Sequence, residues 1–163
     1  MGTSDTVLGD QTSGSDLLLA LETSCDETAA AVIGKGGTVL GSEVSSQILA
    51  HREFGGVVPE VASRNHIKNV RPVVDAALSD AGVSLNDISA FGATSGPGLA
   101  SSLLIGNTIA KAFALSLGKP YVSVNHLEGH LLSPFMGRES GVVPCVGLVV
   151  SGGHTMLLHV RGA

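Results

Sequence analysis

The chain has 163 residues, of which 44% are hydrophobic and 14% are charged, and this composition predicts a folded domain rather than a disordered chain. The formal net charge of −5 excludes binding to nucleic acid through overall positive charge, so such binding would need a local basic patch. Cys25 and Cys145 are too few and too far apart for a disulfide framework, which favours a reducing cytoplasm.

The chain opens with polar and small residues and then becomes apolar. Residues 1–16 have no basic region followed by an apolar run, so we expect a flexible tail rather than a secretion signal. Short apolar runs at 17–24, 28–34 and 38–45 are separated by turn residues and predict three consecutive strands. The mixed segment 46–58 contains adjacent glycines and is predicted to be a loop.

A long helix is predicted over residues 59–80. Pro59 suits its first turn and Gly82 its exit. Apolar side chains recur at helical spacing and predict its buried face, namely Val61, Ile67, Val70, Val73, Val74, Ala77 and Leu78.

The same helix carries the basic residues Arg64, Lys68 and Arg71. Their spacings of four and three place them on one face. This basic stripe predicts either a contact with RNA phosphates or a solvated helix surface.

The rest of the chain alternates strands and helices. The predicted elements are strands at 88–94 and 121–124, helices at 99–118 and 126–135, and a closing pair of strands at 142–151 and 154–160. The order βββαβαβαββ predicts an α/β fold with parallel strands added to the opening meander, as in a ribonuclease-H-like half-domain. No apolar stretch approaches the roughly 20 residues that a membrane helix needs, so we expect no membrane association.

The two ends of the chain repeat one design. Each has an apolar strand, a turn of small polar residues that ends at Thr28 or Thr155, and a second apolar strand. We therefore expect residues 17–141 to form one actin-like lobe and residues 142–163 to form the opening hairpin of a truncated second lobe. In a two-lobed actin-like ATPase, a nucleotide with Mg²⁺ would lie between the lobes, and each hairpin would face its phosphates.

The turn "ETSCDET", residues 22–28, gathers Glu22, Asp26 and Glu27 around Cys25. Three close carboxylates repel one another unless a cation, a cationic substrate or water separates them. The pattern predicts a general base or a magnesium ligand, and a solvated polar turn is the alternative. Cys25 is either a nucleophile or a small core residue.

The turn "SGG", residues 151–153, offers consecutive backbone N–H groups without bulky side chains. Such a turn can bind a phosphate or a carboxylate, and a simple hairpin turn is the alternative. The match to the first hairpin favours anion binding.

"VNHLEGH", residues 124–130, places His126 and His130 one helical turn apart on one face. The two imidazoles predict ligands for Zn²⁺ or Fe²⁺, and the alternative is one solvent histidine and one core histidine. In the protease motif H-E-x-x-H the glutamate directly follows the first histidine. Glu128 comes two positions after His126, which rotates it by about 200° away, so we expect no protease base here.

These motifs together resemble the TsaD (Gcp, YgjD) family, formerly labelled O-sialoglycoprotein endopeptidase. The resemblance rests on "ETSCDET", "FGGVVPEVASRNH", "SGPGL", "SLLIGNTIAKA", "VNHLEGH" and "LVVSGGHT", and it covers about residues 17–163, the N-terminal half of a family member. It implies an actin-like fold and transfer of a threonylcarbamoyl group from threonylcarbamoyl-AMP to N6 of the tRNA adenosine at position 37.

The resemblance also implies roles for individual residues. His126 and His130 would bind one Fe²⁺ or Zn²⁺, with a third ligand from an aspartate outside this chain, and Asp26 or Glu27 would be the base in the cleft. The substrate-binding residues would be Val149, Val150, Ser151, Gly152 and Gly153. The implied partners are tRNA, a dimerising paralogue and a small ATPase, and we expect this chain alone to be inactive.

Three other functions are compatible with parts of the pattern. An actin-like ATPase or kinase and a non-catalytic dimerising partner would not need the histidine pair. A metalloprotease would need a general base beside the metal, and Glu128 is poorly positioned for that role.

Overall fold

The computed structural model describes residues 16–138, 140–150 and 155–162. Within them, one mixed sheet contains β1 (Leu18–Glu22), β2 (Glu27–Ile33), β3 (Val39–Ser46), β4 (Ala90–Gly96) and β5 (Tyr121–Asn125). The helices are α1 (Ile48–His51), α2 (Pro59–Ala81), α3 (Ala100–Leu117) and α4 (His126–Leu132). A separate antiparallel hairpin contains β6 (Cys145–Val150) and β7 (Thr155–Val160).

The sheet has the strand order β3-β2-β1-β4-β5. The first three strands are antiparallel neighbours, whereas β1, β4 and β5 run parallel to one another. This arrangement confirms the predicted α/β lobe, in which parallel strands extend an opening meander.

The core lies between one face of the sheet and the helices α2 and α3. Leu19 of β1 and Phe91 of β4 are completely buried, and they belong to the same cluster as Val73 and Val74 of α2 and Ala110 of α3. Each large apolar side chain buried in this way stabilises the fold by about 1.5–3 kcal/mol. The lobe therefore has its own hydrophobic core.

The long helix forms where it was predicted, but one residue of its buried face was assigned wrongly. Ile67 is 65% exposed, whereas His66 is completely buried. Ala62, His66 and Val70 follow a spacing of four residues, so the buried stripe passes through the histidine and leaves Ile67 on the solvent side.

The segment between β3 and α2 is more regular than the sequence predicts. The loop prediction for 46–58 is wrong for residues 48–54, which form the four-residue helix α1 and a 3₁₀ turn too short to show a hydrophobic period. The predicted tail at 1–16, apart from Asp16, lies outside the described residues, and so does the turn Ser151–Gly153.

By length and composition alone, α3 could cross a membrane, a test that the core helix of a soluble protein also passes. In this fold it packs against β1, β4 and α2. Its buried stripe consists of small residues, namely Ser102, Gly106, Ala110 and Ala114. A Cβ at Gly106 would lie 2.5 Å from Oγ1 of Thr23, so glycine permits the close approach of α3 to the end of β1.

Candidate active site

The parallel strands β1, β4 and β5 end at the same edge of the sheet. Near these ends lie Glu22, Thr94 and Asn125. With Gly55–Val57 and the segments that follow each strand, they line a cleft of about 1180 Å³. This is the edge at which open α/β sheets bind their ligands.

His126 and His130 lie in this cleft on α4, which begins directly after β5. Oδ1 of Asn125 caps the helix by accepting hydrogen bonds from the backbone N–H groups of Leu127 (2.9 Å) and Glu128 (3.2 Å). The cap fixes the direction in which the helix leaves the strand. Both histidines therefore face the cleft from a defined position.

The two imidazoles converge on one point. Nε2 of His126 lies 3.1 Å from Nε2 of His130, and the ring planes meet at 77°. Two nitrogens each bound 2.0–2.1 Å from a tetrahedral Zn²⁺ would lie about 3.3 Å apart, so the pair fits two ligands of one ion. Among the described residues, no three His, Cys, Asp or Glu side chains converge in this way.

Glu22 connects the end of β1 to His126. One carboxylate oxygen, Oε2, lies 3.3 Å from Nδ1 of His126 and accepts a hydrogen bond from Oγ1 of Thr94 at 2.5 Å. The other oxygen accepts a hydrogen bond from the backbone N–H of Ser24. Burial alone would raise the pKa of Glu22, but the hydrogen bonds from Ser24 and Thr94 outweigh burial and hold that pKa below its ordinary value.

The carboxylates Asp26 and Glu27 line the same cleft, in a turn that neighbouring segments hold in place. The carbonyl of Ser24 accepts a hydrogen bond from the N–H of Leu99 at 2.7 Å, and the carbonyl of Asp26 accepts one from the N–H of Gln47 at 2.9 Å. The carboxylates are thus brought to the edge of the cleft by backbone contacts on both sides.

Cys25 lies between these contacts and is exposed. Desolvation and the neighbouring Asp26 raise the pKa of its thiol to about 11. Because the thiolate is the reactive form, this value argues against Cys25 as a nucleophile at neutral pH.

His66 of α2 is buried and forms hydrogen bonds with the same turn. Its Nε2 donates to the carbonyl of Cys25 at 3.0 Å, and its Nδ1 accepts from Oγ1 of Thr28 at 2.8 Å. Nε2 of Gln47 lies 3.3 Å from the same Nδ1. Burial lowers the pKa of His66, so the neutral ring is the form that belongs to the folded state.

Comparison with known proteins identifies the family of the chain. Residues 38–162 match the family model described as "TsaD: tRNA N6-adenosine threonylcarbamoyltransferase". The chain belongs to the TsaD family. The resemblance seen in the sequence motifs is thereby confirmed.

Curated relatives are more than 50% identical to this chain over the aligned region. A tRNA N6-adenosine threonylcarbamoyltransferase from Anaeromyxobacter sp. (strain Fw109-5) is 55% identical over 145 residues, which are 89% of this chain and 44% of the relative. One from Clostridium beijerinckii is 53% identical over 146 residues, which are 90% of this chain and 43% of the relative. The chain thus spans less than half the length of these TsaD relatives.

A solved structure shows the same fold. YeaZ from Pseudomonas aeruginosa superposes with a TM-score of 0.57 at 24% identity, covering 88% of this chain and 64% of its own. A second Pseudomonas aeruginosa structure, described as similar to peptidase YEAZ, gives a TM-score of 0.56 at 23% identity. These likenesses confirm the fold and carry no information on the substrate.

The substrate-binding residues predicted in the second hairpin are not shown to line this cleft. Val149 is buried and Val150 is 69% exposed in β6, and neither is among the residues that line the cleft. Ser151, Gly152 and Gly153 lie outside the described residues. Binding of substrate by this hairpin therefore stays a prediction.

The basic stripe is on the outside of α2. Arg64, Lys68 and Arg71 are exposed, and Arg71 lies 3.6 Å from Asp75 in a surface ion pair. None of the three lines the cleft. The stripe is therefore a surface feature, separate from the histidine pair.

Sequence reasoning did not assign site roles to Thr94 or Asn125. It treated Glu22 only as one of three carboxylates that could be a base or a magnesium ligand, and not as a partner of His126. Each lies at or near the carboxyl end of a parallel strand, and this shared position is the signal that could have identified them. Glu22 was noticed as part of an acidic turn, but its contact with His126 joins residues 104 apart in the sequence.

Proposed function

We propose that the protein transfers a threonylcarbamoyl group from threonylcarbamoyl-AMP to N6 of adenosine 37 in tRNA. The observation that carries this proposal is the convergence of His126 and His130 in a cleft that Asp26 and Glu27 also line. Membership of the TsaD family and the names of the curated relatives support the same activity.

The metal in this proposal is one Fe²⁺ or Zn²⁺. The separation of the two Nε2 atoms and their position at the cleft fit such an ion. A third protein ligand, an aspartate, would come from outside this chain. When bound, the ion would orient and polarise the carbamoyl group of the substrate.

In the reaction, N6 of adenine attacks the carbamoyl carbon, a C–N bond forms, and the C–O bond to the phosphate breaks so that AMP leaves. The N6 amine must lose a proton, and Asp26 or Glu27 is the base we propose for that step. Because an aromatic amine is a weak nucleophile, holding it against the carbonyl supplies much of the acceleration. The backbone N–H groups of Ser151–Gly153 would stabilise the negative charge that develops on the AMP phosphate.

The proposed partners are tRNA, a dimerising paralogue and a small ATPase, and the proposed location is the cytoplasm. The exposed side of α2, which carries Arg64, Lys68 and Ile67, is a surface where a partner or RNA phosphates could bind. We also propose that a nucleotide with Mg²⁺ binds between this lobe and a second actin-like lobe.

The alternative functions have less support. Glu128 is exposed and is not among the residues that line the cleft, which disfavours a protease base. A non-catalytic partner or a simple ATPase would give no reason for two imidazole nitrogens 3.1 Å apart.

The test uses the complete gene product with tRNA and threonylcarbamoyl-AMP. His126→Ala and His130→Ala should each lose the bound metal and the modified nucleoside together, measured by metal analysis and by mass spectrometry of digested tRNA. Glu128→Gln, on the same helix but outside the cleft lining, is the matched control and should retain both. Peptide cleavage without any tRNA product would overturn the proposal in favour of a protease.

A further inference from the structure

Glu22 is placed to control the ring of His126, and no other part of the proposed mechanism uses it. We propose that Glu22 is a positioning residue that keeps the proton of neutral His126 on Nδ1 and directs the Nε2 lone pair toward the metal. This inference rests on the metal site of the proposed function.

The contact at Nδ1 decides which tautomer is favoured. Nδ1 of His126 lies 3.3 Å from Oε2 of Glu22 and 3.3 Å from Oγ of Ser24. An ionised carboxylate only accepts hydrogen bonds, so a bare Nδ1 would place its lone pair against that of Oε2. With the proton on Nδ1, the same contact becomes a charge-assisted hydrogen bond, and Nε2 keeps the lone pair that a metal requires.

The carboxylate is itself held on both oxygens. Thr94 on the neighbouring strand β4 donates to Oε2, and the backbone N–H of Ser24 donates to Oε1. Glu22 is the last residue of β1, which pairs with β2 on one side and β4 on the other. The orientation of His126 is thus tied to the middle of the sheet, as expected for the outer partner of a metal-bound histidine.

The same contacts argue against Glu22 as the general base. Both of its oxygens already accept hydrogen bonds, and the side chain is two-thirds shielded from solvent. A carboxylate stabilised in its ionised form is a weak proton acceptor. Asp26 and Glu27 are better suited to that step, which leaves orientation as the role of Glu22.

The first test determines the tautomer directly in the complete gene product without metal. Nitrogen chemical shifts of ¹⁵N-histidine at pH 8, where ordinary imidazoles are neutral, should show the Nδ1–H form for His126. Glu22→Gln should abolish this preference, because its amide can donate to Nδ1 as well as accept from it. Glu128→Gln removes the same charge from the neighbouring helix and should leave the preference unchanged.

The second test measures the affinity for Zn²⁺ alone by competition with a chelator. Glu22→Gln should weaken binding about 10- to 100-fold, as loss of a histidine's outer partner does in other metal sites. Glu128→Gln should change the affinity less than threefold. Equal affinity of the two variants, or an unchanged His126 tautomer in Glu22→Gln, would overturn the inference.

Thr94 provides a second pair of variants in case Glu22→Gln does not fold. Thr94→Val removes the hydroxyl that holds Glu22 and should weaken Zn²⁺ binding several-fold, whereas Thr94→Ser keeps the hydroxyl and should bind nearly as wild type. Equal binding by these two variants would also contradict the inference. If the wild-type protein binds no metal through His126 and His130, the metal site of the proposed function fails instead, and the two failures are thereby distinguished.

Discussion

The hairpins β1–β2 and β6–β7 follow the same sequence design but have different surroundings. In the first, Leu19 and Val32 are completely buried beneath α2 and α3. In the second, Leu148 and Leu157 are 65% and 72% exposed. A short apolar run therefore predicts a strand, whereas the neighbouring elements decide how much stability that strand contributes.

Neighbouring segments hold the turn of the first hairpin in place. Neighbouring segments donate hydrogen bonds to the carbonyls of Ser24, Cys25 and Asp26. The described contact of the second hairpin with the lobe is with α4, where Leu131 lies against Gly147. The first turn is thus organised by the lobe itself.

The largest effect should come from matched leucines. Leu19→Ala should lower the free energy of unfolding by about 2–5 kcal/mol, because it leaves a cavity in the packed core. Leu148→Ala should change it by less than about 0.5 kcal/mol, because that side chain is largely exposed. Urea denaturation followed by circular dichroism measures both values, and similar losses would mean that the second hairpin is buried in solution.

The next largest effect is the loss of stability at low pH that His66 should cause. Because burial lowers the pKa of His66 from 6.5, the unfolded state binds a proton more readily than the folded state below that pH. The stability contributed by the neutral ring is present above pH 6.5 and is lost as the pH falls toward the lowered pKa. Urea denaturation between pH 5 and 7.5 should show this loss.

His66→Gln should remove that part of the pH dependence and cost about 1–3 kcal/mol at pH 7, since it disturbs buried hydrogen bonds. His159 of β7 is exposed and offers a control in the second hairpin, where His159→Gln should change the stability at pH 7 by less than about 0.5 kcal/mol. An unchanged slope in His66→Gln would show that other groups are responsible.

Two glycines provide a smaller comparison. Gly106→Ala would place a Cβ 2.5 Å from Oγ1 of Thr23, a short side chain that also donates to Ser102, so we expect a net loss of about 1–2 kcal/mol. Gly147→Ala would meet Cδ1 of Leu131, the flexible end of a side chain, and should cost less. Thermal unfolding should place the midpoint of Gly106→Ala below that of Gly147→Ala, and the reverse order would contradict the close packing of α3.

The smallest effect is expected at Cys25. With a pKa of about 11, its thiol should react slowly with iodoacetamide at pH 7.5 despite its exposure. Cys25→Ser should change tRNA modification by the complete gene product less than twofold. Rapid alkylation together with loss of product would identify Cys25 as part of the reaction.

Much of the fold follows from local patterns. Side chains on one face recur every two residues in a strand and every 3.6 residues in a helix, and long elements contain enough positions for the pattern to be recognised. Pro59 and Gly82 likewise mark the ends of α2 through their own backbone preferences. The short α1 shows no such period, and the burial of His66 rather than Ile67 depends on the turn that the helix covers. Local sequence does not contain that information.

In the candidate site, too, contacts within one helix could be predicted from the sequence, whereas contacts between strands could not. His126 and His130 are four residues apart, so a helix alone brings them together. Glu22, Thr94 and His126 meet only because β1, β4 and β5 are parallel neighbours. Contacts of this kind become visible when the order of the strands is known.

The junction between β5 and α4 contains no spare residue. Asn125 ends the strand and caps the helix, and His126 is already the first helical residue. One inserted amino acid at this point would turn the helix by about 100° and advance it by about 1.5 Å relative to the sheet. Loops elsewhere can absorb a change in length, but here a single codon would separate the imidazole pair from its anchor on the sheet.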